Sequence, residues 1–124
     1  MVQNDTLKFI LNYDDKVSGT IISLRELLFK NLTGIKEELD IKTKIIGYGY
    51  GHRYTDTICV IIPSKKGVKL GFNRGIELPD PDKLLEGSGK VHKYAVINEE
   101  VIKSASLKKL LKEALKSYRK RIKI

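Results

Sequence analysis

The stretch TICVIIPSKKGVKLGF, Thr57–Phe72, decides the fold. Thr57–Ile62 is a continuous apolar, β-branched run ended by Pro63, as a buried strand would be. Ser64-Lys65-Lys66-Gly67 has the chemistry of a hairpin turn. Behind it Val68, Leu70 and Phe72 alternate with Lys69 and Gly71, the period of two that gives a strand one inner and one outer face. Strands joined this closely run antiparallel, because parallel neighbours need a crossover of about a dozen residues.

Elements flank this hairpin on both sides. Upstream, Val17, Ile21, Leu24, Leu28 and Leu32 recur at helical spacing, with Asp14 or Asp15 as cap and Gly34 as stop, although Gly19 weakens the start. The residues before Asp14 read as a polar lead. Ile41–Ile46, β-branched and mixed with lysines, predicts a strand. Downstream, Val91–Ile97 predicts another strand and Asn98 a short helical turn. Leu107, Leu110, Leu111, Ala114, Leu115 and Tyr118 then build an amphipathic helix capped by Ser104 or Ser106. The expected fold is α+β: one domain, residues 1–124, with a mostly antiparallel sheet and N-terminal and C-terminal helices packed on one face.

Charge is unevenly placed. The chain has 124 residues, 24 Lys and Arg against 15 Asp and Glu, and a net charge of +9. Residues 1–62 hold 8 basic and 8 acidic side chains, whereas residues 63–124 hold 16 and 7. Residues 103–124 alone carry 9 basic side chains and one acid, Glu113. One cysteine, Cys59, excludes an internal disulfide and any multi-cysteine metal site, and its apolar setting predicts an inert core thiol. That usage suits a reducing compartment. MVQNDTLKFILNYDD lacks a charged region followed by an apolar stretch, so no signal peptide is expected, and no run approaches the roughly 18 apolar residues of a membrane span. These features together predict a cytoplasmic protein.

Two glycine-rich stretches invite a nucleotide reading and neither supports one. Gly87-Ser88-Gly89-Lys90 resembles the end of a phosphate loop. The pattern, however, requires glycine at position 84, which is Leu, a hydroxyl at 91, which is Val, and a helix where a strand is expected. Gly47-Tyr-Gly-Tyr-Gly-His52 lacks the third glycine of a dinucleotide fingerprint. Its alternating Gly and Tyr predict a bend or tight strand crossing with tyrosines packed over it. GFNRGIELPDPDKLLEGSGK, Gly71–Lys90, reads instead as an ordered connection. Gly75 permits a turn, Pro79 and Pro81 stiffen it, Asp80 or Asp82 caps one helical turn through Leu84-Leu85, and Gly87 and Gly89 end that turn. Leu78, Leu84 and Leu85 plug the core beneath.

KLGFNRGIELPDPDKLLEGSGKVHKYAVI resembles the signature of the YdhG-like family, small bacterial and archaeal proteins catalogued as a domain of unknown function. The matching pieces are Leu70-Gly71-Phe72, Gly75 to Leu78, Asp80-Pro81 and Leu84 to Lys90. Upstream, LRELLFKNL and IKEELDIKTKIIGYGY are similar to the family's first helix and following strand. The chain departs from the family in lacking a Trp near Gly47–Tyr50 and an Arg pair at His92-Lys93. The resemblance implies a frataxin-like (CyaY-like) fold, and a wider relative of the group is linked to iron handling.

Three functions follow from these residues, none of them catalytic. No Ser/His/Asp spacing, reactive-cysteine setting, H-E-x-x-H or carboxylate dyad is present, so no enzyme and no cofactor are expected. The leading expectation is a binding or accessory module for an anionic ligand or polyanion, with Lys69, Arg74, Gly87, Gly89 and Lys90 as the anion loop; turn chemistry alone accounts for the same glycines. The second is nucleic-acid binding through Lys108, Lys109, Lys112, Lys116 and Arg119, with Lys120, Arg121 and Lys123 extending the stripe and exposed tyrosines of 47–54 beside Arg53 adding stacking. A solvated lysine face near a helix C-terminus explains that stripe equally. The third is frataxin-type iron delivery. Asp14, Asp15, Glu26, Glu37 and Glu38 are interrupted by Lys16, Arg25, Lys30 and Lys36 and form no acidic ridge, and only His52 and His92 could join Asp56. No metal site is assigned, and no membrane partner is expected.

Overall fold

A computed structural model of the chain describes residues 2–122. Four helices, α1 (Val2–Leu11), α2 (Asp15–Asn31), α3 (Glu99–Lys103) and α4 (Ala105–Ile122), accompany six strands. The strands are β1 (Lys36–Asp40), β2 (Ile45–Gly49), β3 (Thr57–Ser64), β4 (Gly67–Phe72), β5 (Leu85–Glu86) and β6 (Lys93–Ile97). They form one sheet in the order β1-β2-β3-β4-β6-β5, with every neighbouring pair antiparallel. The class is α+β, as the patterning predicts.

The hairpin 57–72 is the centre of this sheet. Ser64 pairs with Gly67 around a two-residue turn. The strand does not stop at Pro63 but continues to Ser64. Its pairing with β2 ends at Ile46 opposite Ile61, so the N–H that proline lacks is not missed there. Ile46, Tyr48, Cys59, Ile61, Val68, Leu70, Phe72, Ala95 and Ile97 are buried and join Ile21, Leu24, Leu28, Leu107, Leu111 and Tyr118 in one core. An extra residue in β3 opposite the Tyr48–Gly49 step explains why Ile58 and Cys59, adjacent in sequence, are both buried. Burial pushes the Cys59 thiol well up, which suits an inert packing role.

The caps fall where the sequence places them. Asp14 accepts from the Val17 N–H at 2.8 Å to open α2, and Asn98 accepts from the Val101 N–H at 2.9 Å to open α3. Ser104 accepts from the Leu107 N–H at 3.2 Å ahead of α4. Of the two serines, the second takes another job, because the Ser106 hydroxyl donates to Asp82.

Four local readings need correction. Residues before Asp14 form a helix, α1, whose end is tied down by the Ser18 hydroxyl on the Ile10 carbonyl at 2.8 Å. Ile41–Lys44 is a turn rather than strand: Asp40 accepts from the N–H groups of Lys42 and Thr43, and Lys44 has φ 58°. Ile45 and Ile46 of that run are strand and open β2. A further strand lies earlier, in charged Lys36–Asp40, which pairs with β2 while Arg25 of α2 forms a two-pronged ion pair with its Glu37 at 2.5 and 2.8 Å. The Tyr48 hydroxyl completes that buried set by donating to Glu37 at 2.6 Å. Finally, Asp80 does accept from the N–H groups of Leu84 and Leu85, both at 2.9 Å, but it leads into β5 instead of a helical turn. Lys83 at φ 55° breaks any helical path there.

The two sheet edges are unlike the centre. β1 alternates exposed Lys36, Glu38 and Asp40 with half-buried Glu37 and Leu39, and β5 is two residues long. No helix of the described residues is long and apolar enough to cross a membrane.

Two glycines should respond oppositely to alanine. A Cβ on Gly49 would stand 2.9 Å from the Thr57 Cα, whereas one on Gly19, in mid-helix, would meet nothing. Gly49→Ala should lower stability by about 2 kcal/mol or more, as overpacking against backbone does. Gly19→Ala should raise it by about 0.5–1 kcal/mol, both read by urea unfolding.

Candidate functional site

The β2–β3 connection, Tyr50–Asp56, folds around one carboxylate. Asp56 is buried and accepts from the Arg53 guanidinium at 3.2 and 3.3 Å and from the Tyr118 hydroxyl of α4 at 3.1 Å. Gly51 lies so close that a Cβ would be 2.9 Å from the Asp56 carboxyl carbon. Tyr50 stacks on Tyr118, ring centroids 5.6 Å apart, and its hydroxyl donates to the Thr33 carbonyl. The Gly/Tyr alternation therefore marks a close backbone approach with tyrosines packed over it. It does not supply a set of exposed rings: Tyr48 is core, Tyr50 is half-buried, and of these three Tyr54 alone is well exposed, at 67%.

Knotting this turn to α4 builds a cleft. Its walls are Arg53, Tyr54 and Thr55 from the turn, Asn73 and Arg74 after β4, Gly89–His92 before β6, and Arg121 and Ile122 at the end of α4. The volume is about 1040 Å³. Arg74, at φ 54°, starts the 3-10 turn Gly75–Glu77 and pairs with Glu77 through Nε at 2.8 Å. The backbone N–H of Arg74 donates to His92 Nδ1 at 3.0 Å. A neutral ring accepting at Nδ1 carries its proton on Nε2, which faces the Tyr54 hydroxyl. Asn73 Nδ2 donates to the Tyr54 carbonyl at 3.2 Å, so the exposed tyrosine is held at both ends.

Four cations stand on these walls in two states. Arg53 and Arg74 are matched by Asp56 and Glu77. Arg53 holds the Asp56 carboxyl below its ordinary range, and Arg74 does the same to Glu77. Among the described residues Arg121 makes no ion pair: its guanidinium meets the neutral Ser117 hydroxyl at 3.2 Å and the Tyr118 ring, and its charge reaches Glu77, the Arg74 partner, only at longer range. Among the described residues Lys90 makes no hydrogen bond or ion pair.

The anion loop expected from sequence is thus brought together in part. Arg74, Gly89 and Lys90 line the cleft; Lys69 does not, lying over the Tyr94 ring at 4.5 Å. Gly87 is also outside, at φ 112° against Tyr94, with its carbonyl taken by Lys93 Nζ at 2.6 Å. Thr55 and Asn73 carried no signal in the sequence. Arg53, Tyr54, His92 and Arg121 drew attention there for other roles, and nothing in their spacing announces that they meet.

The basic stripe forms a second, separate groove. Lys108, Lys109, Lys112, Lys116, Arg119 and Lys120 line it over Leu115, with Asn31 of α2 on the far side and a volume of about 760 Å³. None of the six makes an ion pair among the described residues. Arg121 turns to the first cleft, and Lys123 lies outside the described residues.

The residues weighed for iron are dispersed. His52 faces Glu38 at 3.6 Å, His92 faces Tyr54, and Asp56 is occupied by Arg53 and Tyr118. Asp14 caps α2 and Glu37 is matched by Arg25. Among the described residues no three His, Cys, Asp or Glu gather as a metal ion would need. In comparisons with known proteins, no family model, curated protein or solved structure matched the chain.

Asp56 makes stability depend on pH in a fixed direction. A carboxyl depressed in the folded state adds stability above its unfolded pKa, close to 3.8, and loses it as pH falls through the lower folded value. Asp56→Asn should therefore be less stable than wild type at neutral pH, with the gap closing below about pH 4. Urea unfolding across a pH series measures that gap; one that stays constant down to pH 2 would contradict the ionised contact.

Proposed function

We propose that this chain is a YdhG-like, non-catalytic binding module of the cytoplasm whose ligand is an anion held in the cleft between residues 53–55, 73–74, 89–92 and the end of α4. The observation that supports this reading is that Lys90 and Arg121 make no ion pair among the described residues, on a wall whose other two arginines are each paired with a carboxylate. Burying a side of such cations against an anion offsets their unmatched charge, and guanidinium groups suit oxyanions in particular. The net charge of +9 concentrates anions around the protein as a whole. The cytoplasmic assignment rests on the single cysteine, a buried thiol. Family membership rests on the motif Leu70–Lys90.

The test is an NMR titration of the full chain with inorganic phosphate at low ionic strength. Saturable shifts are expected at Gly89–His92 and Arg121, and the double variant Lys90→Ala/Arg121→Ala should lose them. Absence of saturable shifts at millimolar phosphate would remove the reading.

A second reading is favoured by the α4 groove, where six cations line one surface without an ion pair. Successive positions four apart, Lys108, Lys112, Lys116 and Lys120, are spaced about 6 Å along the helix axis. A polyanion laid along this row would displace counterions and bind with steep salt dependence. Anisotropy with a generic single-stranded oligonucleotide should show log affinity falling with log salt. Lys112→Glu/Lys116→Glu should weaken binding and lower the slope by about 2. No binding at about 50 mM salt, where phosphate contacts are strongest, would exclude it.

A further inference from the structure

We infer that the cleft takes a phosphate monoester joined to a flat ring, the chemistry of a mononucleotide; the inference rests on the anion-cleft reading above and sharpens it. Size is the first argument. A cleft of about 1040 Å³ lies just above the range of small-molecule pockets, about 300–1,000 Å³, and a bare oxyanion would leave most of it to water. The ligand is therefore larger than the charged group it carries.

Charge is the second. Among the described residues Asp56 and Glu77 balance two of the four cations on the walls, Arg53 and Arg74, and the other two, Lys90 and Arg121, make no ion pair, although the field of Arg121 reaches Glu77. A phosphate monoester carries about −1.5 to −2 at pH 7, which those two sites balance, whereas a carboxylate would leave one over. Arginine supplies a fork for paired phosphate oxygens and lysine a point charge beside it.

The third argument is the ring. Tyr54 is 67% exposed, yet its hydroxyl is held by His92 and its carbonyl by the Asn73 amide. Its ring meets the His92 ring in a T-shaped contact, centroids 5.7 Å apart at 70°, and its exposure means that much of the side chain stays open to solvent. An aromatic fixed in this way while contributing little to the core is a platform that has already lost its rotamer freedom, which favours stacking. With His92 Nε2 donating, the Tyr54 proton points elsewhere. The Thr55 hydroxyl and Asn73 Oδ1 have no protein partner among the described residues and can meet sugar hydroxyls.

The experiment titrates the full chain, by calorimetry and NMR, with inorganic phosphate, ribose 5-phosphate, adenosine and AMP. AMP should bind about tenfold or more tighter than ribose 5-phosphate, because one stacked base contributes that much, and adenosine should bind weakly. Tyr54→Ala should reduce AMP to the affinity of ribose 5-phosphate while leaving the latter unchanged. Tyr54→Phe should retain the preference, which separates a stacking role from a structural one. Equal affinity for AMP and ribose 5-phosphate, or a preference that survives Tyr54→Ala, overturns the ring and leaves the anion site standing. Adenosine matching AMP overturns the phosphate. If no phosphate compound binds, or all shifts fall on Lys108–Arg119, both readings fail together.

Discussion

The contact between the Tyr118 hydroxyl and the buried Asp56 carboxylate holds the cleft end of the molecule together. It joins the β2–β3 turn to the last helix across 62 residues of sequence. Everything around it is cut to fit: Gly49 and Gly51 lack side chains where Asp56 presses in, and Tyr50 stacks on Tyr118. Arg53 supplies the countercharge that a buried carboxylate requires. The same contact fixes Arg53 and Tyr54 at one wall of the cleft and brings Arg121, one helical turn beyond Tyr118, to another.

α4 serves two surfaces because its residues point in several directions. Leu107, Leu110, Leu111, Ala114 and Tyr118 face the core, Lys108, Lys112, Lys116 and Arg119 line the groove beside α2, and Arg121 reaches the cleft. Positive charge at the end of this helix also opposes its dipole favourably, so the cations cost little where they stand.

The sequence made the central hairpin and both long helices legible, since each carries its period openly: two in Val68–Phe72, 3.6 in Val17–Leu32 and in Leu107–Tyr118. What it hid is set by partners distant in the chain. Lys36–Asp40 has no strand-like composition, and its ladder with β2 together with the Arg25–Glu37–Tyr48 set makes it a strand. Leu85–Glu86 becomes a strand by lying against β6. The site was visible in halves. Arg74, Gly89 and Lys90 stood out because glycines and prolines punctuate their loop. Arg53 and Tyr54 stood out beside a different glycine cluster, and no local pattern says that the two loops face each other. His92 has no local pattern that assigns it a role, and its two nitrogens are held by the Arg74 N–H and the Tyr54 hydroxyl, both distant in sequence.

The two margins of the sheet carry a last consequence. One rim offers exposed Lys36, Glu38 and Asp40, and the other ends in a strand of two residues. An incoming chain seeking to extend the ladder would meet unlike charges at one side and too short a template at the other. The hydrogen-bonding capacity of the central strands is sealed from both flanks, so this basic, lysine-rich protein is kept from fibre-like growth by its backbone as well as by mutual repulsion.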